Sequence, residues 1–152
     1  AVSGPREVTK DFIAGMVALT SMRLCGNALT QLVIPAALQD EQSTRELLIP
    51  GGRLYEQREA AVQAIRRFDC LSVVKNTAAF YIFPRIDLKK CPITDDKKFA
   101  MDLLHENHIL LVPGSGFDWP QPDHFRVVML PEAKDLARAM TDVGEFLQTY
   151  RQ

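Results

Sequence analysis

Apolar positions recur every three or four residues early in the chain, alternate after residue 70, and return to helical spacing at the end. PREVTKDFIAGMVALT, residues 5–20, opens with a proline suited to a first helical turn and spaces Phe12, Met16 and Leu19 on one face. SMRLCGN interrupts with Gly26 and Asn27, and the helical pattern resumes over residues 28–38. Two helices, or one kinked helix, therefore precede any strand. Residues 39–53 are polar, end in PGGR and read as a break. Residues 54–68, rich in Glu, Arg, Gln and Ala, predict a third helix that buries Tyr55, Ala61, Val62 and Ile65.

The period then changes. Residues 71–74 are short and β-branched; after KNTA, AFYIFPRID alternates Phe80, Ile82 and Pro84 with Tyr81, Phe83 and Arg85. This predicts an antiparallel pair with a four-residue connection. DDKKFAMDLLHEN predicts an amphipathic helix over 95–107, capped by Thr94 or Asp95. Residues 109–112 and 124–130 predict two more strands. PEAKDLARAMTDVGEFLQTY predicts a closing helix with proline in its first turn and a core stripe of Leu136, Met140, Val143 and Leu147. A helix-rich first part followed by β-β-α-β-β-α predicts an α+β fold, a mainly antiparallel sheet with helices on one face.

At 152 residues the chain suits one ordinary domain and is short for a complete two-domain enzyme. Its 47% hydrophobic and 24% charged residues are typical of soluble globular proteins. A net charge of −1 argues against nucleic-acid or membrane-surface partners. No apolar run reaches the roughly 20 residues of a bilayer span. Cys25, Cys70 and Cys91 are odd in number and widely spaced, which fits reduced thiols in the cytoplasm. No signal peptide is present, and the opening AVSGP reads like a strand end and turn, so the chain is expected to begin inside something larger.

Four stretches invite chemical readings. SVVK, residues 72–75, has the Ser-x-x-Lys spacing of some acyl-transfer enzymes, but on a strand Ser72 and Lys75 face opposite ways. His105 and His108, with Asp102 a turn earlier, could share a metal, yet no further ligand is suggested; solvated histidines at a helix end explain them better. Gly114 and Gly116 begin a Gly-x-Gly, but Trp119 stands where a dinucleotide motif needs glycine, and Pro120 and Pro122 forbid its helix. The glycines then serve a tight turn or positive φ values. In HFRVVML, alternation puts His124, Arg126 and Val128 on one face, and Phe125, Val127 and Met129 on the other. Arg126 is either a charge on the solvent face of an edge strand or a bidentate clamp for a carboxylate. The glycine-proline-tryptophan loop before it favours the clamp, as a pocket wall.

SMRLCGN, GGRLYEQR, AFYIFPRID, ILLVPGSGFDWPQPDHFRVVMLP and the terminal helix, in that order, resemble the C-terminal portion of pyridoxal-phosphate-dependent class I/II aminotransferases. The fold implied is that of aspartate aminotransferase, and the bacterial alanine aminotransferase branch is most similar. The resemblance runs from AVSGP to Tyr150. It implies that residues 1–53 are the end of a large domain plus interdomain helices, and residues 54–152 a small C-terminal α+β domain. It further implies a cytoplasmic homodimer that moves an amino group between an amino acid, here alanine, and a 2-oxo acid such as 2-oxoglutarate. Arg126 would hold the substrate α-carboxylate, with residues 114–122 beside the substrate. Arg23 lies in a segment that approaches the partner subunit's active site in some relatives and is not taken as a site.

The family's Schiff-base lysine, pyridine-nitrogen aspartate, ring-stacking aromatic and phosphate-binding residues all precede the segment that this chain resembles. None of Lys10, Lys75, Lys89, Lys90, Lys97, Lys98 or Lys134 lies in the family's lysine motif. No catalytic or cofactor-binding residue is therefore assigned, no pyridoxal phosphate is expected on this segment, and alone it is expected to be inactive. KNTAAFY also departs from the pattern: relatives commonly carry glycine before the Ala-aromatic pair, where Thr77 or Ala78 stands here. The alternative reading is a stand-alone carboxylate-binding or regulatory module built on Arg126.

Overall fold

The structure is a computed structural model and describes residues 4–23, 26–77 and 80–152. The chain divides into two compact units, Ala1–Gln42 and Ser43–Gln152.

In the first unit, Pro5 precedes α1 (Arg6–Ser21), and α2 (Ala28–Gln39) starts at Asn27, whose side chain accepts from the Thr30 amide at 3.3 Å. The expected helices are present, with Phe12, Leu19 and Leu32 all exposed. A further helix, α3 (Glu41–Leu48), begins at the end of the first unit, continues into the second and occupies the stretch expected to be a break. Its sequence EQSTRELL is built largely of good helix formers, and a surface helix of this kind does not need an apolar stripe to betray it. The break itself is confined to Ile49–Gly52, where Gly51 has φ +88°.

The second unit holds α4 (Arg53–Ile65), β1 (Leu71–Ser72), β2 (Tyr81–Ile82), β3 (Arg85–Ile86), α5 (Asp96–Asn107), β4 (Val112–Pro113), β5 (Phe125–Val128) and α6 (Ala133–Thr149). Asp95 caps α5 by accepting from the Lys97 and Lys98 amides at 2.9 and 3.0 Å. α4 packs along α6, burying Ala61, Val62 and Ile65 against a stripe that includes Leu136, Met140, Val143 and Leu147. Gly144 belongs to that contact, since a Cβ there would lie 2.3 Å from the Phe68 ring. Two positions differ from expectation. Tyr55 is only half-buried, while Gln57 is fully buried and donates to the carbonyl oxygens of Leu130 and Pro131. Pro131 lies outside the closing helix, whose N-cap is Glu132.

Every strand pairing is antiparallel, as the α+β reading requires. The pair expected between residues 71–74 and AFYIFPRID exists, but in register Leu71↔Ile86 and Ser72↔Arg85, so its connection is much longer than four residues. Within AFYIFPRID, residues 81–85 run along β5 in one register, through Tyr81↔Val128, Ile82↔Val127 and the single bridge Arg85↔His124. It divides into β2 and β3 at Pro84. Phe125 donates to the Pro84 carbonyl at 3.2 Å, and proline has no N–H to return. β4 closes the other side of β5 in register Val112↔Arg126, and it is shorter than expected, with Leu110 exposed. Upstream of Tyr81, Phe80 has φ +80°, a strained setting for a bulky residue, and Asn76 Nδ2 donates to the Tyr81 carbonyl at 2.9 Å. Residues 78 and 79, on which the KNTAAFY departure turns in part, lie outside the described residues.

Candidate functional site

Alternation along β5 separates the two jobs of the strand. Phe125, Val127 and Met129 point into the core, at 1%, 6% and 1% exposure, while His124, Arg126 and Val128 share the opposite, half-buried face. Arg126 is therefore on the face that alternation gave it, but it is not a solvated surface charge. Its guanidinium carbon lies 4.7 Å from the centre of the Tyr81 ring and 4.6 Å from that of Phe117. Its Nε is buried without a hydrogen-bond partner, and among the described residues no carboxylate pairs with it. Tyr81, Ile82, Phe83, Phe117 and Arg126 line an open, almost wholly apolar pocket of about 280 Å³.

Phe117 reaches Arg126 because the loop after β4 is wound into a 3-10 turn, Gly114–Phe117. Two contacts fix it. The buried Asp96, in the first turn of α5, accepts from the Ser115 amide and the Ser115 hydroxyl, both at 2.8 Å. Gly114 donates to the His124 carbonyl at 2.8 Å, and a Cβ on Gly114 would stand 2.8 Å from that same oxygen. Gly114 is thus required for close approach, and the positive φ falls instead on Asp118, at +57°.

The tryptophan expected to wall the arginine has a different position. Trp119 Nε1 donates to Asp123 at 2.9 Å, and its ring lies 4.4 Å from His124 and 5.7 Å from Phe83. The buried Asp123 also accepts from Arg85 Nε at 3.0 Å and meets His124 Nδ1 at 2.7 Å. Burial alone would raise the Asp123 carboxyl above its ordinary value; the hydrogen bonds from His124, Trp119 and Arg85 outweigh it and hold it below. Phe83 stacks on His124 at 4.8 Å and meets Phe117 edge-on at 6.2 Å, which joins this cluster to the arginine pocket. Sequence reasoning singled out Arg126 but not the residues that surround it and its loop, Tyr81, Phe117, Asp96 and Asp123. The signal for Tyr81 was its place one strand over, and only the register makes that visible.

The other candidates separate. Lys75 lies beyond the end of β1 and pairs with Glu59 at 2.6 Å, an ion pair that does not involve Ser72. His108 caps α5 in the left-handed region, Asp102 accepts from Lys98 and Tyr150, and among the described residues no metal-binding cluster occurs. Among the described residues no lysine lines the Arg126 pocket.

Comparison with known proteins places this geometry. The sequence model of the family described as aminotransferase class I and II matches residues 8–143. The glutamate-pyruvate aminotransferase of Haemophilus influenzae is 45% identical over 151 residues, covering 99% of this chain and 37% of its own. The alanine aminotransferase of Mycobacterium bovis is 45% identical over 152 residues, covering 100% and 35%. Among solved structures, an aminotransferase from Escherichia coli superposes with TM-score 0.83 at 44% identity, over 99% of this chain and 37% of that one. An alanine aminotransferase from Pyrococcus furiosus gives 0.69 at 32% identity, over 88% and 33%. The chain thus spans a little over a third of the relatives it matches, and it belongs to the class I and II aminotransferases.

Proposed function

We propose that this chain is the substrate-closing portion of an aminotransferase that moves an amino group between alanine and a 2-oxo acid such as 2-oxoglutarate. Residues 1–53 then form the end of the large domain and the interdomain helices, and 54–152 the small domain. Arg126 holds the substrate α-carboxylate. The observation that carries this reading is the unpartnered guanidinium in an apolar pocket, because an arginine placed there without an internal anion is set to receive an external one. The names of the relatives, alanine aminotransferase and glutamate-pyruvate aminotransferase, support the choice of substrates.

The residues around Arg126 do not fit pyridoxal phosphate. The pocket contains no amine for a Schiff base, and Lys75, Lys90, Lys98 and Lys134 are engaged with carboxylates elsewhere. Holding the cofactor is thus left to the remainder of a longer, cytoplasmic, homodimeric enzyme, and this segment alone is inactive. Two measurements test the reading. Arg126→Ala in the full-length enzyme should raise KM for both substrates by about 100-fold or more, since a charged bidentate contact is lost. Pyridoxal phosphate and borohydride applied to the 152-residue chain should label no lysine stoichiometrically. An unchanged KM, or one cleanly labelled lysine, would sink it. Saturable, Arg126-dependent binding of alanine or 2-oxoglutarate by the isolated chain would instead favour a self-sufficient binding module.

A further inference from the structure

Resting on the carboxylate-clamp reading, we propose that Phe117 and Tyr81 are positioning residues, which hold the Arg126 guanidinium by its faces and leave its edge free for a carboxylate.

An arginine side chain has many rotamers, and fixing them on binding would weaken the complex. A neighbouring carboxylate could fix the guanidinium, but it would occupy the N–H groups that a ligand needs. Ring faces do not. They attract the cation through its plane and offer no in-plane acceptor. Here the two rings stand at nearly equal distances, 4.7 and 4.6 Å. The nearest carboxylate along the strand, Asp123, is already committed to Arg85, Trp119 and His124. Arg126 Nε is buried and unpaired, so the edge left for a carboxylate is the one formed by the two terminal nitrogens.

Both rings are held by elements outside the arginine's own strand. Tyr81 is fixed by the β2–β5 register, Tyr81↔Val128. Phe117 is fixed by the 3-10 turn that Asp96 grips through Ser115, and by the edge of Phe83. Both ring centres lie within the roughly 6 Å reach of a cation–π contact with the one guanidinium.

The test uses steady-state kinetics of the full-length enzyme loaded with its cofactor. Phe117→Leu and Tyr81→Leu should each raise KM for the amino acid roughly tenfold, with kcat within about threefold. Phe117→Tyr, which keeps a ring, should recover most of that loss. In an Arg126→Lys background, Phe117→Leu should add less than about twofold, because a compact ammonium does not use stacked planes. If Phe117→Leu fails to fold, judged by near-ultraviolet circular dichroism, Phe117→Ile replaces it. In the 152-residue chain, the Arg126 Nε–H resonance should lie upfield and move downfield in the Phe117 variant. KM values within twofold for both Leu variants, equal increments in the two backgrounds, or an unshifted resonance would overturn the proposal. Arg126→Lys with unchanged KM would overturn the clamp reading itself, which is a separable outcome.

Discussion

Arg126 and Phe117 are in direct contact, guanidinium over ring at 4.6 Å, although the loop's most prominent residue is the tryptophan two positions later. Trp119 turns its N–H to Asp123 and serves the scaffold. Trp119→Phe should therefore cost about 1–2 kcal/mol of stability for the lost donor, read by urea unfolding. Substrate KM in the full-length enzyme should change far less than in Phe117→Leu. A KM change as large as that of Phe117→Leu would return Trp119 to the pocket.

Asp123 should govern part of the acid limb of stability. Its folded carboxyl titrates below the ordinary value near 3.9, so its contribution is fully present above that value and is lost as pH falls through the lower, folded one. Asp123→Asn should destabilise the protein by about 2–4 kcal/mol at pH 7. The gap between parent and variant should narrow as pH falls from 5 towards 2. Parallel stability curves across that range would contradict the assignment.

The two glycines of the loop should respond differently to alanine. Gly114→Ala forces a Cβ to 2.8 Å from the His124 carbonyl and should cost about 1–3 kcal/mol, lowering Tm by several degrees. Gly116→Ala meets only the Val112 Cγ1 at 3.4 Å, and its effect should stay within roughly 0.5 kcal/mol.

Cys70 and Cys91 should resist alkylation in the native state. Both are 4% exposed, and the Cys91 thiol is pushed up to about 12 by burial first and by the neighbouring Cys70 thiol next. Mass spectrometry after iodoacetamide treatment at pH 8 should find these two thiols modified only after urea is added.

The apolar surface of α1 and α2 should make the isolated 152-residue chain associate. Phe12, Leu19 and Leu32 are 62%, 66% and 76% exposed, and a patch of that kind favours self-association. Sedimentation velocity should show mass rising with concentration, and Phe12→Asp with Leu32→Asp should suppress it. A strict monomer at all concentrations would refute the expectation.

How far the sequence could be read depended on whether a feature was local. The helical face of α6, that of α4 apart from Tyr55, and the Asp95 cap follow from spacing within one segment, and they are found as expected. Alternation likewise put Arg126 opposite Phe125 and Val127. α3 escaped because its only apolar residues, Leu47 and Leu48, are adjacent and show no helical period, although Glu, Gln, Arg and Leu are good helix formers. The pocket escaped for a different reason. Tyr81, Phe117 and Arg126 come from three elements, and nothing local records that β2 pairs with β5 or that Asp96 winds the loop after β4. Pro84 also misled, because its missing N–H breaks one extended stretch into two short strands without changing its register.

The hydrogen bond from Asn76 to the Tyr81 carbonyl bears on solubility. Among the described residues β1 pairs with β3 and β2 pairs only with β5, so beside Tyr81 the sheet has an open margin next to an apolar pocket. Such a margin is a template on which a foreign strand can add, and aggregation starts at places of this kind. Here the Asn76 amide occupies one of the acceptors a newcomer would need, and Phe80, next to Tyr81, has φ +80° rather than an extended backbone. A strand adding at this margin would have to displace the Asn76 amide before it could pair with Tyr81.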